Sequence, residues 1–199
     1  MRETPWRLLA AALVGIALAG CGGSKISVSD GPTKGAPAVG RPLAHDFVLR
    51  DQADRSVRLS EERGRWVFLT FLYTHCPNEC PLTAERLNSV LTRLGSRRDE
   101  VRVLAVSVDP KGDTPTAVRA FIKSHHLLPQ FRYLTGTRAE LERTWVSYNV
   151  VSRLGAKELF HTSLTVLVDP SGHVRMYYSP ASEAAEWGDL ENLLGRARS

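Results

Sequence analysis

Hydrophobic and polar positions along the chain alternate between two periods. Two short runs, Asp46–Leu49 and Ser56–Leu59, flank the polar stretch Arg50-Asp51-Gln52-Ala53-Asp54-Arg55, the pattern of a β-hairpin. Trp66–Leu72 is continuously apolar, as a strand covered on both faces must be. From Pro81 the pattern turns helical: Ala84, Leu87, Val90, Leu91 and Leu94 keep to one stripe. Val101–Val108 reads as a second buried strand. Asp113-Thr114-Pro115 then opens a helix to about His125, with a capping residue and an early proline. Phe131–Leu134 predicts a short strand and Arg138–Tyr148 a helix. Leu164–Val168 and His173–Tyr178 predict a hairpin through Asp169-Pro170-Ser171-Gly172, and Ser182–Arg196 a closing helix.

Strands alternating with helices call for a mostly parallel central sheet, with hairpins adding antiparallel edges. The expected class is therefore α/β, a thioredoxin-like sandwich, although a flavodoxin-like sheet shares the periodicity. A chain of 199 residues, 43% hydrophobic and 24% charged, suits one globular domain. Its first forty residues do not belong to that domain. Arg2 and Arg7 flank a basic start, and Leu8–Ala19 is an unbroken small and apolar run. As a helix that run would be ~18 Å long, short of the ~30 Å bilayer core, so it reads as the hydrophobic part of a signal peptide. Leu18-Ala19-Gly20-Cys21 resembles a bacterial lipobox, in which cleavage leaves the cysteine as a lipid-modified N-terminus. That resemblance implies a lipoprotein signal peptide over 1–20 and lipidation at Cys21. More than half of Gly22–Gly40 is Gly, Ser or Pro. This predicts a flexible tether over 21–40 and a folded domain over 41–199. The expected place is extracytoplasmic and oxidising, lipid-anchored to a bacterial cell membrane.

Basic residues outnumber acidic ones, 26 to 21, for a formal charge of +5. They are scattered, and the densest pair, Arg97-Arg98, is followed at once by Asp99-Glu100. A nucleic-acid binder needs a concentrated basic stripe, so no nucleic-acid partner is expected.

Of the three cysteines, Cys76 and Cys80 stand in Tyr73-Thr74-His75-Cys76-Pro77-Asn78-Glu79-Cys80-Pro81. They lie just past a buried strand and before a helix, where open α/β sheets place their sites. Pro81 is expected to keep Cys80 out of the helix, leaving both thiols in the entering loop, where the helix dipole favours thiolate. Such a pair can form a structural disulfide, exchange thiols with disulfides, or clamp a soft metal. A disulfide here closes too short a loop to stabilise much. Thiol exchangers of the thioredoxin kind usually have two residues between the cysteines and a cis-proline before the later strand. Here there are three, and the later stretch is Phe160-His161-Thr162-Ser163-Leu164. Two thiolates and the His161 imidazole form a three-coordinate set suited to Cu(I), whereas structural zinc takes a fourth ligand.

The chain resembles the SCO/SenC family of copper-binding proteins, named for the synthesis of cytochrome c oxidase. Phe71–Pro81 is similar to that family's thiol loop, and Ser107-Val108-Asp109-Pro110-Lys111-Gly112-Asp113-Thr114-Pro115 to its second signature. Leu134-Thr135-Gly136-Thr137 is similar to its third, and His161-Thr162-Ser163 with Leu167–Gly172 to its histidine segment. The resemblance implies a thioredoxin-like fold, a membrane tether, and copper ligands Cys76, Cys80 and His161. It also implies delivery of copper, as Cu(I) with Cu(II) as a second state, to the CuA-bearing subunit of a haem-copper oxidase. Another periplasmic copper carrier or a thiol reductant is a further expected partner. The protein is then a carrier and not an enzyme, with Cys76 and Cys80 as a redox-active pair. The alternative is a thiol–disulfide oxidoreductase that reduces the acceptor's cysteines without metal. A peroxiredoxin is disfavoured, because Tyr73 stands where its threonine belongs. Two departures from the family are the short segment from Tyr148 to His161 and the carboxylate of Glu79 between the cysteines. Glu79 can raise the thiol pKa values, touch Cu(II) or simply face solvent. Asp109 is a candidate support for the site, Asp113 a structural residue, and His75 a solvent-facing neighbour. His125-His126 complements a helix end and is assigned no metal.

Overall fold

The computed structural model describes residues 35–154, 159–180, 182 and 185–196. The signal-peptide reading of 1–20 and the lipid site at Cys21 lie outside the described residues. Within them the strands are β1 (Ala36–Pro37), β2 (Val48–Arg50), β3 (Ser56–Arg58), β4 (Trp66–Leu72), β5 (Val101–Ser107) and β6 (Phe131–Leu134). They continue with β7 (Ser152–Leu154), β8 (Leu159–His161), β9 (Thr165–Val168) and β10 (Val174–Tyr178). The helices are α1 (Glu79–Leu94), α2 (Pro115–Ser124), α3 (Arg138–Ser147) and α4 (Glu186–Arg196). Among the described residues no helix is long and apolar enough to cross a membrane.

Six strands form one sheet in the order β1-β10-β9-β4-β5-β6. β4 is central and buried at all seven positions, which is why its sequence shows no alternation. β4 and β5 run parallel from Trp66↔Val101 to Leu72↔Ser107, and β6 continues the parallel set. β9 joins β4 antiparallel, and β10 and β1 extend that edge. The sheet is thus mixed, with parallel central strands and antiparallel edge hairpins in a thioredoxin-like arrangement. Phe68, Leu69, Leu104, Phe131 and Leu167 are completely buried at its centre. α4 lies against α1, where the Arg93 guanidinium sits 5.7 Å from the Trp187 ring centroid.

Two expectations need correction, and two features come only from the structure. The tether is expected to run to residue 40, yet β1 pairs with β10, and the Gly35 amide donates to Asp189 Oδ2 at 3.1 Å. A two-residue edge strand draws on ladder hydrogen bonds more than on apolar area, so composition does not reveal it. The Tyr178 ring lies so close to Gly35 that a Cβ there would overlap it. The β7–β8 hairpin was not anticipated, because three-residue strands are too short to show alternation. The second correction is that α1 begins at Glu79 and includes Cys80. Pro81 then falls in the first turn, where the missing N–H costs no intrahelical bond. The capping residue of α2 is Thr114, whose hydroxyl accepts from the Ala117 amide, and this leaves Asp113 for another task.

Candidate metal centre

β4 delivers the chain to the thiol loop at its carboxyl end, beside the equivalent end of β5. Cys76 lies in that loop, partly buried, while Cys80 is in the first turn of α1 and 1% exposed. Both are free thiols. The Cys80 amide donates to Cys76 Sγ at 3.3 Å. A hydrogen bond from the Cys80 thiol, with the amides of Cys80 and Asn78 adding to it, pulls the Cys76 pKa down to about 5 against the effect of burial. The same contact, reinforced by burial, pushes the Cys80 thiol far up. The shared contact therefore favours the thiolate at Cys76 and the protonated thiol at Cys80.

His161 ends β8 on the opposite wall. Its Nε2 is 3.6 Å from Cys80 Sγ, and its Nδ1 is 3.1 Å from the Thr162 carbonyl. A carbonyl can only accept, so Nδ1 carries the proton and Nε2 turns its lone pair to the thiols. Burial lowers the His161 pKa, which keeps the ring neutral. The Tyr73 ring stands edge-on to His161 with centroids 5.6 Å apart, and its hydroxyl donates to the Leu159 carbonyl at 3.5 Å. Tyr73 thus fastens the histidine hairpin to the thiol loop. An open cleft of about 210 Å³, lined by Tyr73, Cys76, Pro77, Phe160 and His161 among others, leaves one side of the group to solvent. Among the described residues no three His, Cys, Asp or Glu side chains converge closely enough to hold a metal ion as they stand. The arrangement is two linked contacts, Cys76 to Cys80 and Cys80 to His161.

Beneath the loop lies Asp113, expected from the sequence to be structural. Asp113 is 4% exposed and accepts four hydrogen bonds. Oδ1 takes the Thr74 amide and hydroxyl, both at 2.8 Å; Oδ2 takes Ser107 Oγ at 2.6 Å and the Tyr133 hydroxyl at 2.8 Å. One carboxylate thereby joins the thiol loop to the ends of β5 and β6. Its pKa is raised, because burial outweighs those bonds. The structural role expected of Asp113 stands, though not as a cap. The signal in the sequence was an aspartate four residues after Asp109 in a tight turn, which a capping pattern also explains.

Of the other candidates only Glu79 lines the thiol cleft. The Asp109 carboxylate closes its own turn, accepting the amides of Lys111 at 3.2 Å and Gly112 at 3.0 Å. Glu79 is exposed in the first turn of α1, where its charge suits the helix dipole. His75 is exposed, with Nδ1 3.1 Å from Thr74 Oγ1. His125 pairs with Glu85 at 2.9 Å, and His126 is a turn residue with φ 49°.

A thioredoxin-like domain that presents a thiolate, a thiol and an imidazole lone pair at the ends of its central strands belongs to the class of dithiol carriers and exchangers. Comparison with known proteins makes this specific. The SCO1/SenC family model matches residues 36–192, and the chain belongs to that family, whose members work in cytochrome c oxidase assembly and bind copper. The bovine mitochondrial SCO2 homolog is 32% identical over 201 residues, covering 92% of this chain and 73% of that one. The human and zebrafish SCO2 homologs are longer, and the match spans 56% and 50% of them. Bradyrhizobium japonicum ScoI, solved with copper bound, is 30% identical with a TM-score of 0.65, covering 76% of this chain and 99% of that one. Apo Sco1 from Thermus thermophilus is also 30% identical, with a TM-score of 0.67 and coverage of 80% and 95%.

Proposed function

We propose that the protein is a membrane-anchored copper chaperone, holding one copper ion through Cys76, Cys80 and His161 and delivering it to the CuA centre of a respiratory oxidase. The observation that carries this reading is the 3.6 Å approach of Cys80 Sγ to the unprotonated His161 Nε2. With the bond lengths known for zinc, about 2.3 Å to sulfur and 2.0 Å to nitrogen, a trigonal angle would separate two such donors by about 3.7 Å. Binding exchanges one proton for one Cu(I): the Cys80 proton leaves to solvent, and Cys76 supplies the second thiolate. Two thiolates and an imidazole suit a soft cation, and the copper-bound ScoI relative supports the choice of metal. The open cleft supports transfer, because a cysteine of the acceptor can bind before the donor lets go. Lipidation at Cys21 and an extracytoplasmic position after removal of residues 1–20 complete the proposal.

Competitive Cu(I) titration of the reduced protein against a strong chelator, beside His161→Ala, tests it. One equivalent taken up by wild type, with affinity at least tenfold lower in the variant, supports the three-ligand site. Equal binding by both removes His161 from it. The depressed Cys76 pKa favours a second reading, reduction of a partner disulfide by attack of the Cys76 thiolate. Disulfide reduction by a protein that takes up no Cu(I) would select it.

A further inference from the structure

The β7–β8 hairpin separates two depressions. One is the thiol cleft; the other is a pocket of about 230 Å³ whose lining includes Val108, Lys111, Arg138, Trp145, Arg153 and Leu159. Leu159 lines both, two residues before His161, which is roughly 7 Å along a strand. Arg153 is paired directly across the ladder with Phe160, so both lie on the same face of the ridge, and Phe160 is 60% exposed beside the thiols.

The pocket is cationic over an apolar floor. Three basic side chains face the single carboxylate of Asp109, which is already engaged by the Lys111 and Gly112 amides. Arg138 is paired with Glu142 at 2.7 Å, whereas among the described residues neither Lys111 nor Arg153 has a carboxylate partner. Arg50, Arg55, Arg58 and Arg97 each have one. A hydrated inorganic anion would gain nothing from Val108, Trp145 and Leu159; a carboxylate side chain brings an apolar stem for that floor. A protein that takes an ion directly from Cys76, Cys80 and His161 docks on the cleft that Phe160 lines, and Leu159 joins that cleft to this pocket.

Building on the copper-transfer reading, we propose that this pocket docks an acidic segment of the ion's acceptor. Carboxylates flanking the acceptor's cysteines enter between Lys111 and Arg153, and an apolar neighbour packs on Phe160. The charges steer encounter and fix the orientation in which the acceptor's thiols meet the metal.

The test uses three cysteine peptides that differ only in flanking residues, Glu, Gln or Lys, each with a neutral fluorophore. Binding to the metal-free full-length chain in detergent is followed by anisotropy, and Cu(I) transfer from the loaded chain by stopped flow. The chain is wild type, Lys111→Glu/Arg153→Glu, or the control Arg119→Glu/Lys123→Glu on the exposed side of α2. At low salt the Glu peptide should bind best and accept copper about tenfold faster than the Gln peptide. The pocket variant should reverse that order, the control should change it less than about twofold, and added salt should erase it. Equal behaviour of the three peptides with wild type overturns the proposal. So does an equal loss in the control, or displacement of the peptide by inorganic phosphate at matching concentration. Failure of the copper reading shows separately, as absent Cu(I) uptake with peptide binding intact.

Discussion

Asp113→Ala removes the acceptor that ties the thiol loop to β5 and β6. The Tyr133 and Ser107 hydroxyls it strands are both 0% exposed, and the Thr74 amide is partly buried. Each buried group left unsatisfied costs about 1–3 kcal/mol. The lower part of that range applies, since the vacated space can take a water and Thr74 can reach solvent, so the total is about 3 kcal/mol. For a domain of this size that is a fall of roughly 6–12 °C in Tm. Asp113→Asn should cost less than half as much, because the two hydroxyls can rotate to accept from the new amide and only the Thr74 N–H depends on the remaining oxygen. The pH dependence has a definite sign. A carboxyl whose folded pKa is raised contributes stability that is present below its unfolded value, about 3.9, and lost as pH rises through the folded value. The wild-type advantage over Asp113→Ala should therefore widen on acidification from pH 7 to 4. Scanning calorimetry of the reduced, metal-free protein measures all three. An alanine variant within about 2 °C of wild type would show that the network does not bear on stability, and an asparagine variant as damaged as alanine would refute the rotation of the two hydroxyls.

Alkylation of the reduced protein by iodoacetamide should modify Cys76 first, with a rate half-maximal near pH 5 and flat above pH 7; a rate still climbing through pH 8 to 9 contradicts the thiolate assignment. Asp169 is held at about 2: burial alone would raise it, but Ser171, the His173 amide, Arg41 and Arg175 outweigh burial. Its contribution is present above the unfolded value near 3.9 and lost as pH falls toward 2, so acid unfolding followed by circular dichroism should show wild type and Asp169→Asn converging over that window. Thr137→Ala breaks the capping box with Glu140 and should cost about 1 kcal/mol in urea unfolding, leaving the thiols' reactivity unchanged.

Much of this protein is legible in local sequence, because its main elements are set by short-range patterns. The unbroken apolar runs at Trp66–Leu72 and Val101–Ser107 announce buried strands, and the stripe from Ala84 to Leu94 announces α1. The cysteine spacing and the motifs around it marked Cys76, Cys80 and His161 as the residues of interest before any fold was known. What local sequence did not contain were relations between distant residues. The edge strand at Ala36–Pro37 exists because β10 offers it unpaired backbone groups 140 residues away. Cys80 enters the helix because Pro81 falls in the first turn, which dihedral preference alone argued against. The protonation preference of the thiols follows from the contact between Cys80 and Cys76, and the tautomer of His161 from one carbonyl. Asp113 shows the division most plainly. Its place before a proline-led helix reads as a cap, but the parallel register of β4, β5 and β6 brings Thr74, Ser107 and Tyr133 around it, and a buried carboxylate must take the donors it is given. Sequence determined which groups could do the chemistry; the tertiary structure decided their partners, because burial and hydrogen bonding between strand ends are properties of the assembled sheet.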